Sequence, residues 1–235
     1  MTVVIEQNVL YERLRQILDM GWIEIPQVQG YGGTGAPGKI LEELLEIDGG
    51  NHDLPDAGKW EVKFHGGSSP ITLFHKEPEP RGNLEDWVVN AGWEDEKGRM
   101  SLRHTVWGAS ELGFKVRAGD QRIVVINENY KYLEPPFWLN DTLINAFVQK
   151  LRRLILVSGK KKGNSVKYVK ANLFWEPKAT QFINAILAGL VAIDFDARTK
   201  SHTREIDGGK LRNHGTKFRI KRVDLEKLYH KKRDF

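Results

Sequence analysis

The spacing of apolar residues along the chain predicts a mixture of helices and strands. Apolar residues that recur every three or four positions predict helices over residues 4–20, 39–47, 141–152, 178–190 and 223–230. Alternating or short continuous apolar runs predict strands over residues 60–65, 71–75, 154–157, 166–175, 191–195 and 217–220, and a hairpin formed by 114–117 and 122–126. Helices and strands alternate in the second half without a clear linker. We therefore expect an α/β fold, of the mixed α+β kind, as a single domain over residues 1–235.

The strand predicted over residues 60–65 carries a group of charged side chains. Side chains two positions apart on a strand share a face, so Glu61, Lys63 and His65 lie together, opposite apolar residues that can pack on the core. A turn precedes this strand and can bring the carboxylate of Asp56 next to that of Glu61. Two carboxylates and the strand carbonyl of Val62 form an oxygen site suited to Mg²⁺. A lysine beside that site can orient or help to deprotonate a metal-bound water, or stabilise charge on a phosphate.

The charge of the chain is unevenly distributed. The whole chain has 36 Lys and Arg and 31 Asp and Glu, which gives a net charge of +5. Residues 198–235 alone contain 13 basic and five acidic residues, a net charge of +8, and the rest of the chain is slightly acidic. Because clustered Lys and Arg displace counterions from phosphates, this segment indicates a polyanionic partner. The alternative is a solvated basic segment without a partner.

Cysteine content and hydrophobicity exclude several classes of protein. The chain has no cysteine, which excludes disulfides, zinc–thiolate sites, iron–sulfur clusters and a cysteine nucleophile. Its longest apolar run, residues 185–193, is much shorter than the ~20 residues of a membrane span. The N-terminus lacks the apolar stretch of a signal peptide. We therefore expect a soluble, cytoplasmic protein with no membrane partner.

Several blocks of sequence together resemble the MvaI/BcnI family of type II restriction endonucleases, which are relatives of the mismatch-repair nickase MutH. The first is Gly-Lys-Ile-Leu-Glu at residues 38–42, followed by Asp56, four residues, and Glu-x-Lys at 61–63, the pattern of PD-(D/E)xK nucleases. The others are Leu-Phe-His-Lys-Glu-Pro at 73–78, Pro-Arg-Gly at 80–82, Arg-His-Thr-Val-Trp-Gly at 103–108, Ala-Asn-Leu-Phe at 171–174 and Asn-His-Gly-Thr-Lys-Phe-Arg-Ile at 213–220. The blocks follow the order of the family and cover most of the chain.

The resemblance implies a fold and a division of the chain. The fold would be a PD-(D/E)xK restriction-endonuclease-like core, with a mixed central sheet flanked by helices and two lobes that form a DNA cleft. The catalytic lobe would comprise roughly residues 1–110 and parts of the C-terminal half. The DNA-recognition lobe would include roughly residues 198–222.

The resemblance also assigns catalytic roles residue by residue. Asp56 and Glu61 would be the metal carboxylates, with the Val62 carbonyl as a further ligand, and Lys63 would be the catalytic lysine. Glu42 would be an additional acidic residue contributed by the short helix. The metal would be Mg²⁺, for which Mn²⁺ can substitute.

Candidate DNA-binding residues lie in several segments. By resemblance, His75, His214 and Arg219 would be recognition residues, and the planar fork of Arg219 can meet O6 and N7 of guanine in the major groove. Lys217, two residues before Arg219, belongs to the same recognition segment. Two sets of lysines would lie near phosphates, namely Lys39 beside the glycine-rich loop 30–38 and Lys160, Lys161 and Lys162 in a predicted basic loop over 159–163.

These observations predict a site-specific endonuclease that hydrolyses double-stranded DNA. The resemblance suggests a prokaryotic protein, a short pseudopalindromic site of the CC-x-GG type and a cognate DNA methyltransferase as a genetic partner. The chain has one catalytic set and no internal repeat, so a monomer would nick the two strands in turn. Two alternatives stay open, namely a MutH-like repair enzyme that nicks one strand, and a DNA-binding protein without catalytic activity.

Overall fold

The computed structural model describes residues 7–33, 35–46, 60–200 and 210–235. In chain order the elements are α1 (Gln7–Asp19), β1 (Trp22–Glu24), α2 (Ala36–Leu44), β2 (Glu61–His65), β3 (Ile71–His75), α3 (Asn83–Ala91), β4 (Trp93–Glu94), β5 (Met100–Val106), β6 (Phe114–Gly119), β7 (Arg122–Asn127), β8 (Phe137–Leu139), α4 (Asn140–Leu151), β9 (Arg153–Lys162), β10 (Ser165–Pro177), α5 (Phe182–Leu187), β11 (Val191–Thr199), β12 (Leu211–Asn213), β13 (Lys217–Ile220) and β14 (Tyr229–Asp234). Short 3₁₀ helices occupy Glu128–Tyr130, Ala179–Gln181 and Arg222–Leu228.

The chain divides into two compact units, each assembled from separate stretches of sequence. The first unit contains Met1–Ser69, Phe147–Lys178 and Leu225–Phe235, and the second contains Pro70–Ala146 and Ala179–Asp224. Within the described residues, no helix is both long enough and apolar enough to span a membrane.

The first unit is built on a sheet with the strand order β1-β10-β9-β2, in which β14 also pairs with β10. Strands β2 and β9 run parallel and the other pairs are antiparallel. On one side, α1 and α2 pack against the sheet through an apolar cluster that includes Leu14, Leu41, Val62, Val157 and Tyr168. This cluster fixes which face of β2 is turned away from the helices.

The opposite side of this sheet has a smaller apolar cluster at one end. Leu154 and Phe174 are cross-strand neighbours and are buried, and the ring of Phe174 lies 5.4 Å from that of Tyr229. Phe147 of α4 packs 6.1 Å from the same tyrosine ring, whose hydroxyl donates to the Leu151 carbonyl. The sheet is therefore covered on both faces at this end, next to the first residue of β2.

The second unit contains a sheet with the order β3-β13-β11-β5-β4, with β12 paired to β11, and a three-stranded sheet β6-β7-β8. All strand pairs in this unit are antiparallel. Its core is aromatic: Phe74 stacks on Phe218, and Trp138 lies edge-on to Phe218 and close to Phe195. The Trp138 Nε1 donates to the Lys76 carbonyl, so the buried indole has a partner.

The mixed α/β class predicted from the sequence is confirmed, as are most of the predicted elements. Most elements begin and end within a few residues of the predicted bounds, and some are longer than predicted. They are helices α1, α2 and α4 and strands β2, β3, β9, β10, β11 and β13. Strands β6 and β7 form the predicted hairpin. The turn predicted over residues 51–59, which contains Asp56, lies outside the described residues.

Three local predictions differ from the structure. The helix predicted over 178–190 is present but shorter: it consists of the 3₁₀ helix Ala179–Gln181 and α5, and it ends near Gly189, whose positive φ is typical of helix ends. The helix predicted over 223–230 is a 3₁₀ helix over Arg222–Leu228 followed by β14, and its buried Leu225 and Leu228 are three residues apart, as the 3₁₀ repeat requires. The loop predicted over 159–163 is mostly strand, because β9 stays paired with β10 as far as Lys162.

Other elements were not predicted. These are α3, β1, β4, β5, β8, β12 and β14. Most of them are short or highly charged, as in β14, so their apolar period is weak.

Candidate active site and recognition strands

Strand β2 places a charged pair on the face opposite α1 and α2. Val62 packs in the cluster with the helices, and Glu61 and Lys63 alternate with it, as the sequence pattern predicted. The Lys63 Nζ lies 2.9 Å from the Glu61 Oε1, and the carboxylate of Glu61 is only 3% exposed. A carboxylate buried to this extent must be compensated by cations or hydrogen bonds, which the lysine supplies in part.

A second lysine approaches the same carboxylate oxygen. Lys150, in the last turn of α4, places its Nζ 3.9 Å from the Glu61 Oε1. The negative charge of Glu61 also reaches Tyr229, whose pKa is raised above its ordinary value, first by burial and then by that charge. Sequence analysis did not find Lys150, because a lysine in the last turn of a helix is common there for its interaction with the helix dipole.

The donor set at this site fits a divalent cation in part. Glu61 and the Val62 carbonyl are oxygen donors, the ligand type that Mg²⁺ takes. Asp56, the second predicted carboxylate, lies outside the described residues. Among the residues that are described, no three His, Asp or Glu side chains group into a metal site. The described residues thus have donor atoms of the type that such a cation takes, and they could supply part of its ligand set.

Helix α2 carries two further predicted residues of the first unit, Lys39 and Glu42. Glu42 is partly buried, and its neighbour Glu43 is exposed and accepts a hydrogen bond of 2.5 Å from the Tyr31 hydroxyl. The Lys39 Nζ lies 4.1 Å from the centroid of the same tyrosine ring, a cation–π contact. Helix α2 packs on β2, and a Cβ at Gly38 would lie 4.0 Å from the Phe64 Cβ, an ordinary van der Waals contact.

Three predicted recognition residues of the second unit, His75, Lys217 and Arg219, lie on the neighbouring strands β3 and β13, and His214 lies in the connection between β12 and β13. Arg219 on β13 is held on two sides: its Nη1 lies 3.1 Å from the Asp194 Oδ2, and its Nη2 donates to the Pro70 carbonyl at 3.0 Å. Asp194 is itself fixed by the Thr105 hydroxyl at 2.6 Å. A guanidinium has five N–H donors, and two are used here, so the group is oriented and still has hydrogens to donate.

A second ion pair lies further along the same face. The Lys217 Nζ lies 2.5 Å from the Asp196 Oδ2, and the Arg103 Nε lies 3.1 Å from the Asp196 Oδ1. Burial opposes the charged form of Asp196, but the Lys217 hydrogen bond and the charges of Lys217, Arg103 and His214 outweigh it and hold the pKa of Asp196 below its ordinary value. Sequence analysis missed Arg103 and Asp196 as site residues. The alternation of charged and apolar residues along β11 is the signal that could have found Asp196.

His75 packs against the segment that contains His214. His75 ends β3 opposite Lys217, and both histidines are exposed. Gly215 has a φ of 90°, and a Cβ at that position would lie 3.0 Å from the His75 ring. The Glu77 carboxylate accepts from the Asn213 amide at 2.6 Å and from the Thr216 N–H at 2.8 Å. The structure therefore brings the predicted readers of the second unit onto one sheet.

The remaining predicted residues lie at the end of the β9–β10 hairpin in the first unit. Lys160, Lys161 and Lys162 are all exposed and belong to β9. The predicted catalytic residues that are described thus lie in the first unit, and the predicted readers His75, His214, Lys217 and Arg219 lie in the second.

Comparison with known proteins gives a family and solved structures. The model of the MvaI/BcnI restriction endonuclease family matches residues 11–229. A structure of the restriction endonuclease MvaI in complex with its cognate DNA substrate is 29% identical, with 98% of this chain and 99% of that chain covered and a TM-score of 0.77. A structure of MvaI in the absence of DNA is 26% identical, with 98% of each chain covered and a TM-score of 0.56. A comparison with curated protein sequences finds no match.

Proposed function

The chain belongs to the MvaI/BcnI restriction endonuclease family and is a type II site-specific deoxyribonuclease, and from this premise we propose that it hydrolyses both strands of duplex DNA with Mg²⁺ at a short site of the CC-x-GG type. The observation that carries the proposal is the ion pair between the buried Glu61 and Lys63 on the polar face of β2. Similarity to an MvaI structure with cognate DNA supports duplex DNA as the substrate.

The chain's own residues would divide the chemistry at the scissile phosphate. Glu61, the Val62 carbonyl and Asp56 would hold the divalent cation, which when bound supplies a Lewis acid and a more acidic water. Lys63 lies beside Glu61, and its ammonium would stabilise the negative charge that grows on the phosphate oxygens during attack by water. Lys63 and Lys150 both lie beside Glu61, and their two ammonium groups would favour an anionic phosphate at this site.

Recognition is proposed to reside in the second unit and catalysis in the first. Arg219 presents an oriented guanidinium, which suits bidentate bonds to guanine. His75, His214 and Lys217 lie near it in sequence or across a strand pair and would read or position the centre of the site. Lys39 would lie near a phosphate. A cognate DNA methyltransferase would protect the host genome from this activity.

Glu42 would contribute to catalysis as an additional acidic residue, and its neighbour Glu43 offers a matched control. Glu42→Gln is expected to lower the cleavage rate by about 10-fold to 100-fold, the range of loss seen when an outer-shell metal partner is removed. Glu43→Gln should leave the rate within about 2-fold, because that side chain is exposed and bonded to Tyr31. Steady-state cleavage of a plasmid at several Mg²⁺ concentrations measures both. Equal rates for the two variants would remove Glu42 from the site.

The number of active sites per molecule determines the expected course of cleavage. The chain has one Glu61–Lys63 pair. We therefore propose that a monomer cuts one strand, reverses its orientation on the pseudosymmetric site and then cuts the other strand. Supercoiled plasmid should pass through an open-circular intermediate before it becomes linear, and the rate should rise linearly with enzyme concentration. Gel analysis of a time course, together with light scattering of the enzyme–DNA complex, tests this.

Each contrary outcome of that experiment points to one alternative. A second-order dependence on enzyme, or two proteins per site, would replace the monomer by a dimer. Open circles that never become linear would favour the MutH-like nickase. No cleavage with bound DNA would favour the non-catalytic protein.

A further inference from the structure

The β9–β10 hairpin sorts its lysines onto two faces of the sheet in the first unit. Along β9, Lys160 and Lys162 alternate in step with Leu156, which is the register partner of Lys63 on β2. Lys167 on β10 is the direct cross-strand partner of Lys160, so it shares that face. We name Lys160, Lys162 and Lys167 the basic strip. It lies on the same face of the sheet as Glu61 and Lys63.

Lys161 lies on the other face although it is the residue between two members of the strip. Its cross-strand partner is Val166, which is buried in the apolar cluster beneath α1 and α2. Lys161 is exposed because it lies close to the end of the hairpin. The three lysines that look equivalent in the sequence are therefore not equivalent in the sheet.

The basic strip brings like charges together, and the part of the chain that the structure describes offers it no carboxylate partner. Lys160 and Lys167 lie directly opposite each other, an arrangement that destabilises an antiparallel pair. Among the described residues, no carboxylate forms an ion pair with the strip. Glu24 lies opposite Ser165 on the same face of the sheet, and it too forms no ion pair with the strip.

Three other lysines of this unit are compensated. Lys170 pairs with Asp234, Lys231 with Glu176 and Lys232 with Glu226. An uncompensated group of cations beside a compensated one indicates a site for an external anion.

The spacing of the strip along the sheet sets its distance from the proposed catalytic pair. Lys160 and Lys162 lie four and six residues beyond Leu156, which is roughly 13 Å and 20 Å along the strand from the level of Lys63. Phosphates of one DNA strand follow one another at about 3.4 Å along the helix axis. A backbone that runs along β9 would therefore meet the strip about four to six nucleotides from the cut.

We propose that the basic strip binds the phosphate backbone of duplex DNA in the flank of the cleavage site, that Lys167 is one of its members, and that Lys161 is not. The inference rests on the proposed function, because it takes DNA as the ligand and β2 as the place of cutting. The strip carries no base readers, so its contribution is independent of sequence.

The salt dependence of binding to a 40-base-pair duplex of random sequence tests the strip, with Ca²⁺ in place of Mg²⁺. The slope of log K against the logarithm of the salt concentration is negative. Its magnitude should decrease by about 0.9 for each of Lys160→Gln and Lys167→Gln, and by two to three for the triple variant K160Q/K162Q/K167Q. Between 50 and 200 mM salt, wild type should then lose roughly 40-fold more affinity than the triple variant. Lys161→Gln removes the same charge one residue away and should leave the slope unchanged.

A duplex that ends three base pairs beyond the mapped cut provides the second measurement. On it the wild type and the triple variant should bind alike, because the flank is missing, and on a duplex with 15-base-pair flanks they should differ. Thermal melting of each variant checks that the substitutions, including the one at the half-buried Lys167, leave the fold intact.

The outcomes separate the strip from the proposed function. Equal slopes for Lys160→Gln and Lys161→Gln, or a wild-type slope in the triple variant, would overturn the strip while plasmid cleavage by the wild type still supported the nuclease. A difference that persisted on the short duplex would overturn its place in the flank. A wild type that neither binds nor cuts DNA would overturn both.

Discussion

Glu61→Gln should abolish cleavage, with a loss on the order of 10³-fold or more, while binding to cognate DNA in Ca²⁺ stays within a few-fold of wild type. Glutamine keeps the shape of the side chain but removes the charge that would hold a cation and that pairs with Lys63 at 2.9 Å. Asp56→Ala should have a comparable effect, because it removes the other proposed metal carboxylate. Single-turnover cleavage of a labelled duplex, followed at saturating enzyme, measures the chemical step apart from binding.

Lys63→Ala should show the same separation of cleavage from binding. Removal of one preorganised charge at a reacting centre costs about 10²-fold to 10³-fold in rate. Lys63→Arg is the informative companion, because it keeps the charge but not the compact ammonium beside Glu61. If Glu61→Gln, Asp56→Ala or Lys63→Ala cut at a rate close to wild type, the assignment of β2 as the catalytic strand would be incorrect.

Arg219→Ala should weaken specific binding by about 1–3 kcal/mol, which is roughly 5-fold to 150-fold in Kd, and relax the preference at one guanine. The guanidinium is oriented by Asp194 and by the Pro70 carbonyl, so Asp194→Asn should reproduce part of the loss without removing the reader. Arg219→Lys should not restore specificity, because an ammonium lacks the planar fork. Competition binding with duplexes altered at each G·C pair in turn measures the change.

Lys160→Gln provides the contrast to Arg219→Ala. A phosphate contact weakens binding to every sequence by a similar factor, whereas a base reader changes the ratio between cognate and random DNA. If Arg219→Ala lowered cognate and random affinity equally, Arg219 would be a phosphate contact or a structural residue that holds Asp194. Thermal melting of both variants shows how much of any loss comes from instability of the sheet.

The recognition strands show how far local patterning reaches. Alternation of apolar and polar residues predicted β13 and β3 correctly, because a strand's two faces are set by a period of two. The same alternation could not show that Asp194 and Asp196 of β11 would pair with Arg219 and Lys217. Those pairs depend on the register of β11 against β13, which joins segments that are separated in the chain.

Local sequence was a poorer guide where tertiary packing overrides an apolar period. Residues 223–230 have helical spacing, but they form no α-helix. The first six belong to a 3₁₀ helix and the last two begin the strand β14, which pairs with β10. Pairing with β10 stabilises β14 as a charged edge strand, and because that stabilisation depends on β10, the sequence of the segment does not indicate it. Such an edge is also protected from unwanted pairing by its lysines.

Sequence patterning alone was sufficient for the mixed fold, for the polar face of β2 with Glu61 and Lys63, and for the strand that carries Lys217 and Arg219, because each depends on neighbouring residues in one strand or on a contiguous motif. Only the tertiary structure places Lys150 beside Glu61 and Asp194 beside Arg219. It also places Lys161 on the opposite face of the sheet from Lys160 and Lys167. These features arise from strand register and helix packing between distant parts of the chain. Local periodicity contains no information about which distant segments become neighbours.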